Sequence, residues 1–205
     1  MAGERIGGPD AALRAAAERD DGHAGPRRQV ARAERRLVRE AQGGSREAVE
    51  ALFRAHWPRA HRAAYLVVHD GAAAEDIAQE AFLAALRALD RFDRRRPFGP
   101  WLYRIVVNRA IDHARARSLR HEVRSEGDES TAPDLPERPY SDEVLAALAA
   151  LPLDRRAVVV LRYVLELTPG EIAAALDLPR GTVNSRLRRG LDALRAQLSD
   201  GREEP

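Results

Sequence analysis

Residues 168–190 read TPGEIAAALDLPRGTVNSRLRRG, and this stretch decides the fold of the C-terminal part of the chain. Thr168, Pro169 and Glu171 combine a capping box with proline at the first helical position, which is a specific signal for the start of a helix. The tripeptide DLP at 177–179 then predicts a tight turn, and a second helix follows it. Two short helices joined in this way are typical of a helix-turn-helix.

The second helix of this motif carries the side chains that would reach DNA. Apolar residues at helical spacing would hold the two helices at a steep angle, so that the start of the second helix enters the major groove. Asparagine can read adenine and arginine can read guanine through paired hydrogen bonds. We therefore expect the following side chains to face DNA: Thr182, Asn184, Ser185, Arg188 and Arg189. The alternative is a helix-turn-helix that makes only protein contacts.

Two further helices are expected just before this motif. Ser141 is the predicted N-cap of a helix over DEVLAALAA, and Leu151-Pro152 turns the chain after it. Asp154 then opens a segment whose valine run has strand propensity but keeps helical spacing, so we expect a helix there as well.

The N-terminal half also shows helical patterns. Order is expected to begin near Ala31, and Ser45 is the predicted N-cap of the second helix. Because proline fits poorly inside a helix, we expect Pro58 to end that helix and to begin a third one. An amphipathic helix follows over about 73–92, and after a charged loop another helix spans about 101–121.

These patterns predict an all-α chain with two small helical domains joined by a flexible acidic linker. Residues 122–141 contain six acidic residues and two arginines, a net charge of −4, with three prolines and no apolar periodicity. Such a composition favours a linker. The predicted division is a disordered extension at 1–30, a first domain at 31–121, the linker at 122–141, a second domain at 142–198 and a tail at 199–205.

The near-neutral total charge hides two basic segments. The 34 basic residues, all of them arginine, face 32 acidic residues for a net charge of +2, and the absence of lysine indicates a codon-composition bias. Residues 87–121 nevertheless carry a net charge of +7, and residues 180–195 carry a net charge of +4. Clustered arginines on helices favour nucleic-acid binding. The competing interpretation is that they are ordinary solvated side chains.

The first basic segment also contains aromatic residues. Its sequence FGPWLYRIVVNRAIDHARARSLR interleaves Phe98, Trp101 and Tyr103 with arginines and with Asn108. Bases of single-stranded nucleic acid stack on aromatic rings while arginine holds the phosphates, so this pattern is typical of a strand-binding helix. For Trp101, packing in the core is the competing interpretation, and the sequence favours it.

The sequence gives no support to an enzyme, a metal site or a membrane-spanning protein. It contains no cysteine, which excludes disulfide scaffolds, thiol catalysis and cysteine-based zinc sites. It has no glycine-rich phosphate loop, HExxH or GxSxG motif, and its six histidines are scattered. No apolar stretch approaches about 20 residues, and the N-terminus lacks a signal-peptide core. We therefore expect a cytoplasmic protein without catalysis, cofactor or metal.

Three motifs, in this order, resemble bacterial RNA polymerase sigma factors of the extracytoplasmic-function (ECF) subfamily. They are EDIAQEAFLAALRALDRFD, FGPWLYRIVVNRAIDHAR and LAALPLDRRAVVVLRYVLELTPGEIAAALDLPRGTVNSRLRRGLDALR. The resemblance covers 31–121 and 142–198 and implies two helical domains, called region 2 and region 4 in that family. It implies that the chain directs core polymerase to promoters through the β′ clamp helices and the β flap, and that an anti-sigma factor controls it.

The resemblance also implies roles for individual residues. The face that would dock on the β′ clamp helices consists of Glu75, Asp76, Gln79 and Glu80. Asn108 falls where the family captures a flipped base of the −10 element. The other residues implied at the −10 element are Trp101, Arg104, Arg109, Arg115 and Arg117. Those implied at the −35 element are Thr182, Asn184, Ser185, Arg186, Arg188 and Arg189. The acidic linker resembles the segment that enters the polymerase near the RNA path.

Two positions depart from the family pattern. Asp177 stands where the family often has glycine, and Asn184 stands where many relatives carry a basic residue. A stand-alone helix-turn-helix regulator is the main alternative function, although the linker offers it no dimerisation element. A helical adaptor that binds only proteins is a third possibility. A fully extended linker reaches about 65–70 Å, which spans two DNA elements about two helical turns apart.

Overall fold

All regular elements are helices in the part of the chain that the computed structural model describes, residues 24–123 and 140–200. They are α1 (Ala24–Gln42), α2 (Arg46–Val68), α3 (Gly71–Ala88), a 3₁₀ turn (Leu89–Arg91), α4 (Phe98–Val123), α5 (Asp142–Ala150), α6 (Leu153–Tyr163), α7 (Pro169–Leu176) and α8 (Arg180–Asp200). The all-α prediction is confirmed for these ranges. The expectations for residues 1–23, 124–139 and 201–205 lie outside the described residues, and α1 begins earlier than the predicted start near Ala31.

Side-chain caps fix where several helices begin. The hydroxyl groups of Ser45 and Ser141 each accept a hydrogen bond from a backbone amide three residues further on, at 3.2 and 3.4 Å, which confirms both predicted caps. Asp70 caps α3 in the same way at 3.0 Å, so this helix begins at Gly71 rather than near Ala73. Each cap satisfies an amide that has no partner within its own helix.

The predicted break at Pro58 is wrong, because α2 runs without interruption from Arg46 to Val68. An internal proline removes one hydrogen bond and crowds the preceding turn, at a cost of about 3 kcal/mol. Pro58 lies on the exposed side of α2, where water can bind the carbonyl group that has lost its partner. The opposite side buries Leu52 and Ala60. Apolar burial on both sides of the proline outweighs the local penalty.

The first domain consists of α1 to α4, and α2 contacts the other three helices. Its core includes large side chains that are at most 2% exposed: Val38, Leu52, Leu66, Leu102 and Val106. Alanine lines much of the rest of the core, including Ala60, Ala63, Ala64, Ala74 and Ala81. Small side chains at these contacts let the helices approach one another closely.

The second domain consists of α5 to α8, and α8 contacts the other three helices. The valine-rich segment is a helix, as predicted, and α6 buries Val158, Val160 and Leu161 completely. Helix α8 passes α6 at Gly190, where an added Cβ would lie 3.0 Å from Cγ2 of Val159. Glycine at this position therefore permits the close approach of the two helices.

The predicted capping box begins α7. The backbone amide of Thr168 donates to the carboxylate of Glu171 at 2.8 Å, and the Thr168 hydroxyl accepts the Glu171 amide in return. The turn after α7 places Asp177 at φ +53°. This left-handed conformation favours glycine but is also open to aspartate. The helix-turn-helix therefore keeps its tight turn with aspartate at this position.

The two domains pack directly against each other. Helices α2 and α4 of the first domain contact α5, α6 and α7 of the second. Apolar residues of both domains form one continuous buried cluster. The sequence predicts two units on a linker and contains no local signal for this contact, which joins surfaces that are far apart along the chain.

Candidate nucleic-acid interface

One side of α4 brings together side chains that are predicted to bind a DNA strand. Trp101, Arg104, Asn108 and Arg115 follow one another at helical spacing, which places them on one side of the helix. Arg104 and Arg115 are exposed, whereas Trp101 and Asn108 are half-buried. The structure thus aligns an aromatic ring, an amide and two cations along one helix.

Of the three aromatic residues in this segment, only Trp101 is accessible. Phe98 and Tyr103 are each 3% exposed, so neither ring can stack on a base. The Trp101 ring packs against Phe92, with ring centroids 4.5 Å apart, and against Phe98 at 5.6 Å. Trp101 is therefore anchored on one side by the core and partly exposed on the other, and base stacking on its ring stays a prediction.

Two arginines predicted at the −10 element already have acidic partners. Arg109 Nη1 lies 2.6 Å from a carboxylate oxygen of Glu80 on α3. Arg117 Nη1 lies 3.2 Å from the carboxylate of Asp70, the residue that caps α3. These ion pairs tie α4 to α3. Among the four arginines predicted at the −10 element, Arg104 and Arg115 are therefore the more exposed pair.

The amide of Asn108 also has a partner in this structure. Its Nδ2 donates a hydrogen bond to the carbonyl oxygen of Ala175, in the last turn of α7, at 3.3 Å. Carbonyl groups in the last turn of a helix have no partner within that helix, so Ala175 is available as an acceptor. The side chain predicted to capture a base is thus bound by the second domain.

A hydrogen-bond network fixes the N-terminal end of α4. The Glu34 carboxylate accepts the backbone amides of Gly99 at 3.2 Å and Phe98 at 3.4 Å. Its Oε1 lies 3.0 Å from Nε2 of His56, whose Nδ1 lies 2.9 Å from the Tyr103 hydroxyl. The sequence predicts that α4 begins near 101. The helix begins at Phe98 instead, because this remote carboxylate satisfies its first amides.

Burial and hydrogen bonding set the protonation of this network. Burial alone would raise the pKa of Glu34, but the hydrogen bond and charge of His56, together with two backbone amides, hold that pKa below its ordinary value. Burial raises the pKa of Tyr103 to about 12, although the Arg59 guanidinium acts in the opposite direction. At neutral pH, Glu34 is therefore ionised and Tyr103 carries its proton.

The second helix of the helix-turn-helix is α8. Asn184, Arg188 and Arg189 are exposed, as expected for side chains that reach DNA, whereas Thr182 and Ser185 are half-buried. The Ser185 hydroxyl donates to the Thr182 carbonyl oxygen within the helix at 3.3 Å.

Arg186 differs from its neighbours on α8. Its Nε lies 3.1 Å from a carboxylate oxygen of Asp154, the residue near the start of α6. The guanidinium is therefore directed towards its own domain. Of the six residues predicted at the −35 element, Asn184, Arg188 and Arg189 are thus fully at the surface of α8, whereas Arg186 makes a contact within its own domain.

The four residues predicted to bind polymerase share an exposed side of α3. Glu75, Asp76, Gln79 and Glu80 are all exposed. Gln79 Nε2 donates to a carboxylate oxygen of Glu75 at 3.1 Å, so part of this surface is held by its own side chains.

Sequence reasoning missed two apolar residues on the same side of α3. Leu83 is 50% exposed and Leu86 is 38% exposed. They continue the helical spacing that begins with Asp76 and Gln79. The signal in the sequence was leucine repeated on an otherwise polar helix face. A mixed acidic and apolar surface of this kind suits a protein partner.

A second basic surface, on α1, was also missed. Arg32, Arg35, Arg36 and Arg39 project beside Arg94 and line a shallow concavity of about 430 Å³. All five side chains belong to exposed residues. The sequence contained a signal for this surface, since four arginines of α1 recur at the spacing of one helix side. This surface lies on the same domain as the basic side of α4.

Within residues 24–123 and 140–200, no three histidine, aspartate or glutamate side chains are grouped so as to hold a metal ion. None of the helices in these ranges is long and apolar enough to cross a membrane.

Two segments of the chain match known families. Residues 52–120 match Sigma-70 region 2, and residues 141–194 match Sigma-70, region 4. The ECF RNA polymerase sigma factor SigW of Bacillus subtilis is 33% identical over 181 residues, which cover 81% of this chain and 97% of SigW.

Solved structures with the same fold are also known. The structure of CnrH in complex with the cytosolic domain of CnrY has a TM-score of 0.64 at 30% identity, covering 82% of this chain and 98% of that chain. The sigma factor RpoE of Bartonella quintana, solved with the anti-sigma factor NepR, has a TM-score of 0.64 at 21% identity, covering 73% of this chain and 96% of that chain. At 21% identity, the similarity to the Bartonella quintana protein shows only a shared fold.

Proposed function

Because this chain belongs to the extracytoplasmic-function sigma factors of bacterial RNA polymerase, we propose that it binds core polymerase, directs it to promoters with specific −35 and −10 elements, and promotes melting of the DNA. One observation carries this proposal. The domain that matches region 4 exposes polar and basic side chains on α8, and the domain that matches region 2 carries the basic and aromatic helix α4. The polymerase supplies the phosphoryl-transfer chemistry, so the chain needs no catalytic group of its own.

Residues 142–198 act as region 4 and anchor the complex on duplex DNA. Helix α8 enters the major groove of the −35 element with Asn184, Arg188 and Arg189 facing the bases and phosphates. Arg186 supports this helix through Asp154.

Residues 31–121 act as region 2 and hold the melted strand of the −10 element. Asn108 binds an unstacked base, Trp101 offers the exposed part of its ring, and Arg104 and Arg115 hold phosphates. Capture of a flipped base favours the melted state, because the free energy of binding offsets the cost of unstacking. Arg109 and Arg117 orient α4 through their acidic partners.

The acidic side of α3 docks on the β′ clamp helices of core polymerase. Its carboxylates supply charge complementarity, and Leu83 and Leu86 supply apolar area at the centre of a protein interface. Region 4 contacts the β flap, and the linker at 122–141 enters the polymerase near the RNA path.

An anti-sigma factor is proposed as a further partner. Two chains of the same fold, CnrH and the Bartonella sigma factor, were solved with CnrY and with the anti-sigma factor NepR, respectively. The chain would work in the cytoplasm, where core polymerase binds promoters.

Run-off transcription on a promoter library tests the proposed function. Core polymerase is mixed with the chain or with buffer, and new start sites are mapped. We expect the chain to produce transcripts from a defined set of promoters. We expect Arg188→Ala to weaken recognition by roughly 5- to 150-fold, since a base contact contributes about 1–3 kcal/mol.

The matched control is Arg195→Ala, which removes an exposed arginine from the same helix outside the predicted DNA face. It should transcribe like the unmodified chain. No transcript from any promoter together with no binding to core polymerase would contradict the proposal. A palindromic footprint formed by the chain without polymerase would instead identify a stand-alone regulator.

A further inference from the structure

The basic surface of α1 is not used by the proposed function. It consists of five exposed arginines around a concavity of about 430 Å³: Arg32, Arg35, Arg36, Arg39 and Arg94. In residues 24–123 and 140–200, only Arg36 among them has an acidic partner, Glu40, whose carboxylate lies 3.6 Å from Nε in an exposed pair. Guanidinium groups gathered in this way repel one another, and an anion between them removes the repulsion.

The spacing along α1 separates these arginines from the packed side of the helix. The four arginines of α1 follow one another at intervals of three, four and seven residues, which places them on one side. Val38, which is 1% exposed, and Glu34 lie on the opposite side. The Glu34 carboxylate accepts the amides at the start of α4, so it does not neutralise the basic surface.

Hydrogen bonds near both ends of the ordered part of α1 fix this surface relative to α4. At one end, Glu34 accepts the Phe98 and Gly99 amides of α4. At the other end, Nε2 of Gln42 donates to the carbonyl oxygens of Leu89 at 2.8 Å and Phe92 at 3.0 Å, just before the loop that carries Arg94. The arginines are therefore held in place before any ligand binds, which lowers the cost of binding.

The basic surface is continuous with the side of α4 that is proposed to bind a strand. Arg94 follows Phe92 by two residues, and the Phe92 ring packs against Trp101 with centroids 4.5 Å apart. Asn108 lies seven residues after Trp101, about 10 Å further along α4. A strand held at Asn108 and Trp101 therefore reaches the basic surface when it continues past the start of α4.

The chemistry of the surface suits phosphate groups rather than bases. Its concavity is lined by arginine alone, with no aromatic ring on which a base could stack. The planar guanidinium group matches a phosphate through two parallel hydrogen bonds. Contacts to phosphates position a nucleic acid without reading its sequence.

We propose that the basic surface of α1 is a second nucleic-acid site, which binds the phosphates of the promoter strand beyond the bases held by α4. This inference rests on the proposed function of α4 as the helix that holds the −10 strand. The site lengthens the grip on the separated strand, and its contribution depends on the length of the strand and on salt rather than on sequence.

Fluorescence anisotropy of labelled single strands bound to core polymerase with the chain tests the inference. One strand carries only the −10 element of a promoter identified by run-off mapping. Two others extend it by a run of thymidines at the 5′ or the 3′ end. The variant is Arg35→Gln with Arg39→Gln, and the matched control is Arg46→Gln with Arg54→Gln, which removes two exposed arginines of α2 and the same charge.

One of the two extensions should raise the affinity of the unmodified chain and of the control by roughly tenfold. The glutamine variant should lose this gain but bind the unextended strand normally, which also shows that it is folded. On the extended strand, the slope of log affinity against log salt should fall by about 1.4, since each neutralised phosphate of a single strand contributes about 0.7. Arg35→Lys with Arg39→Lys should keep most of the slope, because the charge remains.

Three results would overturn the inference. The first is a gain from the extension that survives in the glutamine variant, and the second is no gain from either extension. The third is an equal loss of affinity for a fully double-stranded fragment, because the arginines would then bind duplex DNA.

The unextended strand separates this inference from the proposed function. If core polymerase with the chain prefers the −10 strand to a scrambled strand, but the glutamine variant behaves like the unmodified chain, only the second site fails. If the −10 strand is not preferred and no promoter is transcribed, the proposed function fails, and the inference fails with it.

Discussion

Replacement of Arg156 by methionine tests the coupling between the two domains. The Arg156 guanidinium donates to three carbonyl oxygens, those of Val67 at 2.7 Å, Ala149 at 2.6 Å and Leu151 at 3.0 Å. The Val67 bond joins the domains, whereas the other two hold the junction between α5 and α6. Arg156→Met keeps most of the aliphatic stem and removes every donor.

The expected magnitude follows from these contacts. A hydrogen bond from a charged donor contributes about 1.5–3 kcal/mol to stability. Contributions from one side chain are not additive, and Nε of Arg156 is buried without a hydrogen-bond partner in the described residues, so its removal offsets part of the loss. We expect the free energy of unfolding to fall by about 3 kcal/mol, of which about a third is coupling between the domains, since one of the three bonds crosses between them.

Urea unfolding monitored by two signals measures this coupling. Both tryptophans, Trp57 and Trp101, lie in the first domain, so their fluorescence reports that domain, whereas circular dichroism reports all helices. The two transitions should coincide in the unmodified chain. In Arg156→Met, the dichroism should begin to fall at lower urea, because the second domain loses two of the three bonds.

The control is Arg54→Met, which removes an exposed arginine that lies 3.4 Å from Glu50. It should change the free energy of unfolding by less than about 0.5 kcal/mol. If Arg156→Met keeps coincident transitions and its stability stays within the same limit, the reasoning about the interface is refuted.

Three further substitutions test local features of the fold. Burial, together with the Arg156 guanidinium across the domain interface, lowers the pKa of His69 to about 4. Neutral His69 therefore contributes fully to stability above pH 6.5, the ordinary pKa of histidine. This contribution is lost as the pH falls towards 4. The thermal midpoint should decline over this window, and His69→Asn should flatten the decline. Thr168→Ala removes a capping box and should lower the urea-derived stability by about 1 kcal/mol; an unchanged midpoint would argue against the cap. Gly190→Ala brings a Cβ to 3.0 Å from Val159 and should cost about 1–3 kcal/mol in the same assay, whereas Gly181→Ala, which meets no atom within 4 Å, should not destabilise the chain.

Three helix starts were predictable because the signals that fix them are local. Ser45, Ser141 and Thr168 bind amides three residues away, so the sequence contains both the donor and the acceptor. The continuous helix through Pro58 was not predictable in this way. Its local penalty is outweighed by packing against other helices, and that packing is decided by residues far along the chain.

In the candidate site, too, local features were predictable and contacts between distant residues were not. Helical spacing predicted that Asn184 and Arg188 share a surface, and both are exposed on α8. Spacing could not predict which arginines of α4 are paired, since the partners of Arg109 and Arg117 lie 29 and 47 residues away. The hydrogen bond of Asn108 to the second domain was likewise beyond local patterns, because its acceptor lies 67 residues further on.

Permanganate footprinting of a promoter complex tests the central claim most directly, since permanganate oxidises thymines only where the strands have separated. Core polymerase with the unmodified chain should make thymines of the −10 element reactive. Asn108→Ala should retain binding to core polymerase and to the −35 element but lose that reactivity by roughly tenfold or more, while Ser118→Ala, an exposed control on α4, should melt the promoter normally. Unchanged thymine reactivity with Asn108→Ala would contradict the account.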